Sequence, residues 1–338
     1  MTPLCIAYLN EEADLSGGVR VMLAHADELI ARGHSVTIVS KSASPSWIRT
    51  RAEWQLVTDF TELDASIFDF VIATFWTTLA PAHQLAGDRA LHLCQGYEGS
   101  FSFYAAQKRE IDAAYSLAIP RLVISESLVQ ICRQFHDDVT VIGQVVDDRF
   151  YRDIRKNISE PPRVLVTGAH QVDLKGVDDG YGAVLHARAN GAKVHMVRVS
   201  PWAPARDEPS DIVADEFHVA LTADAMTELV HSCDIFVGPN HKEEGFGLPA
   251  AEAMASAIPC VLTSIPSFLS FDEENRDYAL FANEKDAIDL GERLLDLITD
   301  DELRERTATR GREVAEQFRS HRSGERLEAF LLARAAAR

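Results

Sequence analysis

The stretch that decides the fold opens with Leu4-Cys5-Ile6-Ala7-Tyr8-Leu9 and Ser16-Gly17-Gly18, continues through an amphipathic run from Val19 to Arg32, and closes with Gly33 and Ser35-Val36-Thr37-Ile38-Val39. The two flanking apolar runs are short and nearly continuous, as strands buried on both faces of a sheet are. Between them Val19, Met22, Leu23, Ala26, Leu29 and Ile30 fall on one face of a helix, which Gly33 stops. Strand, helix and strand at this spacing make a parallel βαβ unit.

The same alternation continues outward, with strands at Phe70 to Thr74, Leu91 to Cys94 and Leu122 to Ser125, a helix to about Phe135, and a strand at Thr140 to Ile142. A polar, proline-containing stretch from Asp147 to Pro162 interrupts it. The rhythm then restarts with strands at Val164 to Thr167, Val194 to Val199, Glu216 to Ala220, Ile235 to Gly238 and Pro259 to Thr263. Helices are expected from Asp178 to Asn190, Ala223 to Ser232 and Pro249 to Ser256, and three more begin near Asn283, Asp300 and Ser320. With 338 residues the chain is long enough for two domains of about 150 residues each. Two doubly wound α/β domains are therefore expected, at 1–150 and 151–318, with 319–338 as a terminal helix. Ligands should lie at the carboxyl ends of the strands.

Composition narrows the function classes. A hydrophobic content of 46% and a charged content of 25% are those of an ordinary globular protein. The formal net charge of −19 repels nucleic acid and anionic headgroups, so any phosphate must be held by a local device. No run reaches the length of a membrane helix, and Met1 to Asn10 reads as a buried strand and not as a signal peptide. The last 39 residues interleave nine Arg with eight Asp or Glu, a solvated helix face more than a polybasic anchor. Five cysteines without a C-x-x-C pair read as free thiols. A cytoplasmic location follows, with weak contact at the inner face of a membrane as the lesser expectation.

The densest chemical signal is Glu243-Glu244-Gly245-Phe246-Gly247-Leu248-Pro249-Ala250-Ala251-Glu252, between a strand and a helix whose first residue is expected to be Pro249. Gly245 and Gly247 let the backbone come close to a ligand. The free amides of the helix start, with Leu248, suit a diphosphate. Glu244 in the loop and Glu252 in the first helical turn can grip hydroxyls at the rim. The same residues also serve a plain strand-to-helix turn in which an early Glu complements the dipole. The segment resembles the E-x7-E motif with its G-F-G core of the retaining glycosyltransferases of family 4, and the flanking Pro239 and Pro259 to Thr263 fit that pattern.

The resemblance spans nearly the whole chain. It implies the GT-B fold, with two Rossmann-like domains facing across a cleft, residues 1–150 on the acceptor side, 151–318 on the donor side, and 319–338 crossing back. It also implies that Glu244 contacts the donor sugar, that Gly245, Phe246 and Gly247 approach its hydroxyls, and that Glu252 holds the ribose. In the family a Gly-Arg and a Lys-Gly hold the diphosphate. Here Lys175-Gly176 is present but Ala169 stands in the arginine's place, with His170 or Arg198 as candidate substitutes. Gly17-Gly18, with Arg20 beside it, is similar to the family's glycine-rich loop, although it also serves as a simple turn. Gln95 occupies the place where many relatives carry a histidine and is a substrate-positioning candidate, because an amide orients a hydroxyl but does not shuttle a proton. Tyr97, Glu98 and Tyr104 are acceptor-side candidates, and His92 reads as a satisfied core histidine.

The expected activity is metal-independent transfer of a sugar from a nucleotide-diphosphate sugar to a hydroxyl acceptor, whether saccharide, lipid-linked or small molecule. Glu244 and Lys175 carry the chemistry, and no cofactor is expected beyond the donor as co-substrate. D-x-D, H-x3-H and H-E-x-x-H do not occur, nor do G-x-S-x-G or a P-loop, so metal, hydrolase and kinase readings have no motif. Donor base, donor sugar, acceptor and oligomeric state are not legible. A nucleotide-sugar epimerase, a sugar phosphorylase and a non-catalytic nucleotide- or sugar-binding module fit the same motifs.

Overall fold

The computed structural model describes residues 3–153 and 158–338. The expected linker at 147–162 is therefore only partly covered, and residues 154–157 lie outside the described residues. Two compact units emerge: Met1–Val145 with Phe318–Arg338, and Val146–Gln317. The division precedes Phe150 because that residue is held inside the second unit, where its carbonyl accepts from Ser256 Oγ at 2.9 Å.

The first unit has strands β1 (Cys5–Asn10), β2 (Ser35–Ser40), β3 (Glu53–Leu56), β4 (Phe70–Ala73), β5 (Ala90–Cys94), β6 (Arg121–Val123) and β7 (Val139–Val141). Its early helices are α1 (Gly17–Ala31), α2 (Trp76–Ala86), α3 (Lys108–Tyr115) and α4 (Ser127–Cys132). The sheet order is β3-β2-β1-β4-β5-β6-β7, and the pairings are parallel. β4 and β5 are buried at every residue, which is why their sequences show no polar alternation. β3 is a half-exposed edge strand whose Glu-Trp-Gln-Leu carries no such signal. α2 is hidden in the sequence by Pro81 inside it; buried Leu79, Ala82 and Ala86 hold it in place. Gly17 and Gly18 are not a loop before α1 but its first two residues. Ser16 is the N-cap, its Oγ accepting from Val19 N at 3.2 Å.

The second unit contains β8 (Arg163–Thr167), β9 (His195–Ser200), β10 (Glu216–Val219), β11 (Ile235–Gly238), β12 (Cys260–Thr263) and β13 (Leu280–Ala282). The helices are α5 (Val177–Ala189), α6 (Ser210–Val213), α7 (Ala223–Ser232), α8 (Leu248–Ala255), α9 (Pro266–Leu269), α10 (Ala287–Thr299) and α11 (Asp301–Ala315). Again the strands pair in parallel, in the order β10-β9-β8-β11-β12-β13. Val164, Val166, Val184, Met196, Ile235, Val237, Leu290 and Leu294 form the core between the sheet, α5 and α10. α10 and α11 start where Asp286 and Asp300 cap them, a turn later than expected for α10.

The last helix, α12 (Ser320–Ala336), belongs to the first unit. Leu327 and Leu331 are buried there, and Ser323 Oγ lies 2.8 Å from His25 Nε2 and bonds the carbonyls of Ile142 and Gly143. Arg334 pairs with Asp138 at 2.8 Å, so this tail cation is engaged within its own unit. Among the described residues no helix is long and apolar enough to cross a membrane. Leu327→Ala is expected to destabilise the first unit by about 2–5 kcal/mol, the cost of deleting a buried leucine. Denaturant unfolding followed by tryptophan fluorescence checks this, because Trp47, Trp54 and Trp76 all lie in that unit.

Candidate functional site

In the second sheet the winding reverses between β8 and β11, and the segments leaving these two strands meet. The first carries Lys175 and the second Glu244, and their Nζ and Oε2 atoms lie 2.6 Å apart. His241 N donates to the Leu174 carbonyl at 2.8 Å and His241 Nε2 lies 3.1 Å from Asp179 Oδ2, so the two loops are stitched together beside the pair. Gly176, at φ +59°, permits this approach. A Cβ there would stand 1.9 Å from the Pro239 carbonyl oxygen, and no side chain fits.

Glu244 is held from two sides. Asn240 Nδ2 donates to the same Oε2 at 2.6 Å, and Asn240 is itself fixed by Thr263 Oγ1, which donates to its carbonyl at 2.5 Å. Burial pushes the Glu244 carboxyl up, but Lys175, Asn240 and the Phe246 N–H together hold it below the usual glutamate value. It is an anchored carboxylate. Lys175 retains further N–H donors, since an ammonium has three. Asn240 and Thr263 carry no local sequence motif, because their role depends on β12 lying next to β11.

Gly245 to Gly247 lead into α8, whose N-cap Gly247 adopts φ +81°, and any Cβ there would stand only 2.2 Å from the Phe268 ring. The helix begins at Leu248, so Pro249 is its second residue and not its first; the amide at that position also lacks an intrahelical acceptor, so proline fits equally well. Glu252 consequently lies in the second turn, and at 1% exposure it is buried and not at a rim.

Neither candidate substitute for the missing arginine is free. Arg198 is fully buried, paired with Glu208 at 2.9 Å, and donates to the carbonyls of Gly168 and Val199 at 2.7 Å each. It braces the end of β8 from within the sheet. His170 Nε2 is 2.8 Å from Asp178 Oδ1. Ala169 is itself buried. Lys175 is thus the cation that the structure places beside Glu244.

The remaining sequence candidates lie in the first unit. Gln95 Nε2 donates to the Gly18 carbonyl at 3.0 Å, which brings two of them together where β5 ends and α1 begins. The Tyr97 hydroxyl is taken up by Asp112 and Lys108. Glu98 is buried and accepts from the Tyr115 hydroxyl at 2.5 Å. His92 is a core residue, edge-on to Tyr115 at 5.3 Å, but its Nδ1 has no partner among the described residues, so it is not the satisfied histidine expected. Among the described residues no group of three or more His, Cys, Asp or Glu is placed to hold a metal ion.

Two parallel-sheet α/β units with these topologies define the GT-B fold. Residues 213–314, which include the whole Glu244 to Glu252 segment but not Lys175, match the family described as glycosyl transferases group 1. An uncharacterized glycosyltransferase of Methanocaldococcus jannaschii is 31% identical over 97 residues, which take in 28% of this chain and only 26% of that relative. Among solved structures, sucrose-phosphate synthase from Thermosynechococcus elongatus superposes with a TM-score of 0.81 at 15% identity, covering 99% of this chain and 100% of that one. HepE of Anabaena, solved in complex with UDP-glucose, gives 0.78 at 14% identity over 98% and 100%.

Burial raises the Glu98 carboxyl to about 7, against the smaller lowering effect of the Tyr115 hydrogen bond. A raised folded-state value favours the neutral form, so this contribution is complete below about pH 4.5 and is lost as pH rises through 7. Glu98→Gln should therefore gain stability over the parent as pH climbs from 5 to 8, approaching about 3 kcal/mol. Paired melting curves across that range check this; a constant difference between the two proteins would contradict it.

Proposed function

We propose that this protein is a retaining glycosyltransferase of family 4 type, moving a sugar from a nucleotide-diphosphate sugar to a hydroxyl acceptor without metal or cofactor. The observation that carries this reading is the Lys175–Glu244 pair at the reversal point of the second sheet, beside the glycine-lined start of α8. A nucleoside diphosphate leaving the anomeric carbon accumulates negative charge, and stabilising it is the main catalytic task. The spare donors of Lys175 and the first amides of α8 meet that charge, inside a chain whose net −19 would otherwise repel it. Glu244, held by Asn240, orients the sugar hydroxyls, and Glu252 serves the nucleoside. Support comes also from the group 1 match and from the UDP-glucose bound by HepE, a protein of the same fold. Synthesis of a glycan, glycolipid or cell-surface polysaccharide in the cytoplasm is the setting we infer, by analogy alone.

A thermal-shift screen against UDP-, GDP-, ADP-, dTDP- and CDP-sugars tests the donor site, because a ligand at 100 times its Kd adds about 2.7 kcal/mol. A selective shift supports the reading, and no shift with any donor refutes it. Epimerised donor formed without acceptor, or dependence on free phosphate, would reassign the chemistry to an epimerase or a phosphorylase. Binding without transfer or hydrolysis would leave a binding module.

Glu244→Gln should lower kcat on the order of a hundredfold, since it disturbs the position of the reacting sugar, while the melting temperature stays close to that of the parent. Lys175→Ala should weaken donor binding by about 10- to 100-fold, the loss of one charge-assisted hydrogen bond. Calorimetric titration with the donor identified in the screen checks the second, and an unchanged Kd would remove Lys175 from the site.

A further inference from the structure

The carboxyl edge of the first sheet holds chemistry that the donor-side residues leave unused. Its winding reverses between β1 and β4, and the segments leaving β4 and neighbouring β5 are rich in aromatic rings. Phe75 and Trp76 follow β4, while Phe101, Phe103 and Tyr104 follow β5. Phe75 stands 6.1 Å from Tyr104, and Phe103 lies 4.7 Å from Tyr104 and 5.4 Å from Phe101. None of the five is fully buried, and Phe103 is 54% exposed. Rings gathered at the surface at a ligand-binding edge mark a contact surface and not a core.

The surrounding charge selects the occupant. From Thr74 to Ala86 the sequence has no Asp, Glu, Lys or Arg, and from Gln95 to Gln107 Glu98 is the only one; of the exposed Lys108 and Arg109 that follow, Lys108 is paired with Asp112 at 3.0 Å. The segment leaving β1 adds Glu11, Glu12 and Asp14. Glu12 and Asp14 are exposed, whereas Glu11 is paired with Lys41 at 3.0 Å. Burial first, and then the Glu98 and Glu12 carboxylates, push the Tyr104 phenol up, which places both acids in the electrostatic surroundings of the aromatic cluster. Aromatic faces with carboxylates nearby repel a phosphate and an anionic membrane surface. They suit an uncharged sugar, whose C–H face lies on a ring and whose hydroxyls donate to carboxylate oxygens.

We infer that Phe75, Trp76, Phe101, Phe103 and Tyr104 form a shelf for the acceptor and that its occupant is an uncharged sugar ring. This rests on the transferase reading of the second unit, but the shelf is tested separately. The full chain is titrated with the methyl glycosides of glucose, mannose, galactose and N-acetylglucosamine, with glucose 6-phosphate, and with phosphatidylglycerol vesicles, using saturation-transfer NMR and co-sedimentation. At least one neutral glycoside should bind, more tightly than glucose 6-phosphate. Phe103→Ala, a change at an exposed side chain, should weaken that binding fivefold or more and leave the nucleotide-sugar thermal shift intact. Equal or tighter binding of glucose 6-phosphate, vesicle binding that depends on Phe103, or no neutral glycoside bound while a donor shift persists would each overturn the shelf. A neutral glycoside bound with no donor shift would instead sink the transferase reading and, with it, the acceptor assignment.

Discussion

The parallel pairing of β8 with β11, in which Leu165 sits opposite Phe236, is the constraint on which the candidate site depends. Parallel neighbours cannot be joined by a tight turn, so each strand sends a loop out at the same edge before the chain crosses back. At the reversal point these two loops leave side by side. Backbone contact then becomes close enough to exclude a β-carbon at Gly176, and Lys175 is delivered to Glu244. Neither loop alone contains a site.

The electrostatics follow from that placement. A chain with a net charge of −19 cannot attract a diphosphate by its overall field, so the binding device has to be short-ranged. An ammonium beside a glycine-lined helix start is such a device. Glu244 stays ionised despite burial because Lys175, Asn240 and a backbone amide offset the loss of water. Arg198 illustrates the opposite use of a cation. Buried with Glu208 and bonded to strand-end carbonyls, it stiffens the scaffold from behind and contributes no free charge to the site.

The first unit repeats the architecture with different chemistry at its edge. There the reversal point lies between β1 and β4, and the strand ends around it carry aromatic rings, carboxylates, the Glu11–Lys41 ion pair and the Gln95 to Gly18 hydrogen bond. α12 is part of this unit, through Leu327, Leu331 and the Ser323 bonds to the chain that precedes the second unit. Residues 318–338 thus share a unit with residues that precede Val146.

The sequence by itself determined the α/β alternation, because strands buried on both faces must be apolar along their length and crossover helices must repeat every three to four residues. It also determined the glycine-flanked glutamate segment, since Gly247 and Pro249 act locally through backbone geometry. β3, β13 and α2 escaped it: β3 is an edge strand with few apolar residues, β13 is three residues long, and α2 is masked by Pro81. Only the tertiary structure decided that Lys175 meets Glu244, that Asn240 and Thr263 hold that carboxylate, that Glu252 is buried in the second turn of α8, and that Arg198 is turned inward. The meeting of Lys175 with Glu244 and the hold of Asn240 and Thr263 on that carboxylate depend on which strands are neighbours in a sheet, and strand order leaves no mark in the local pattern of residues.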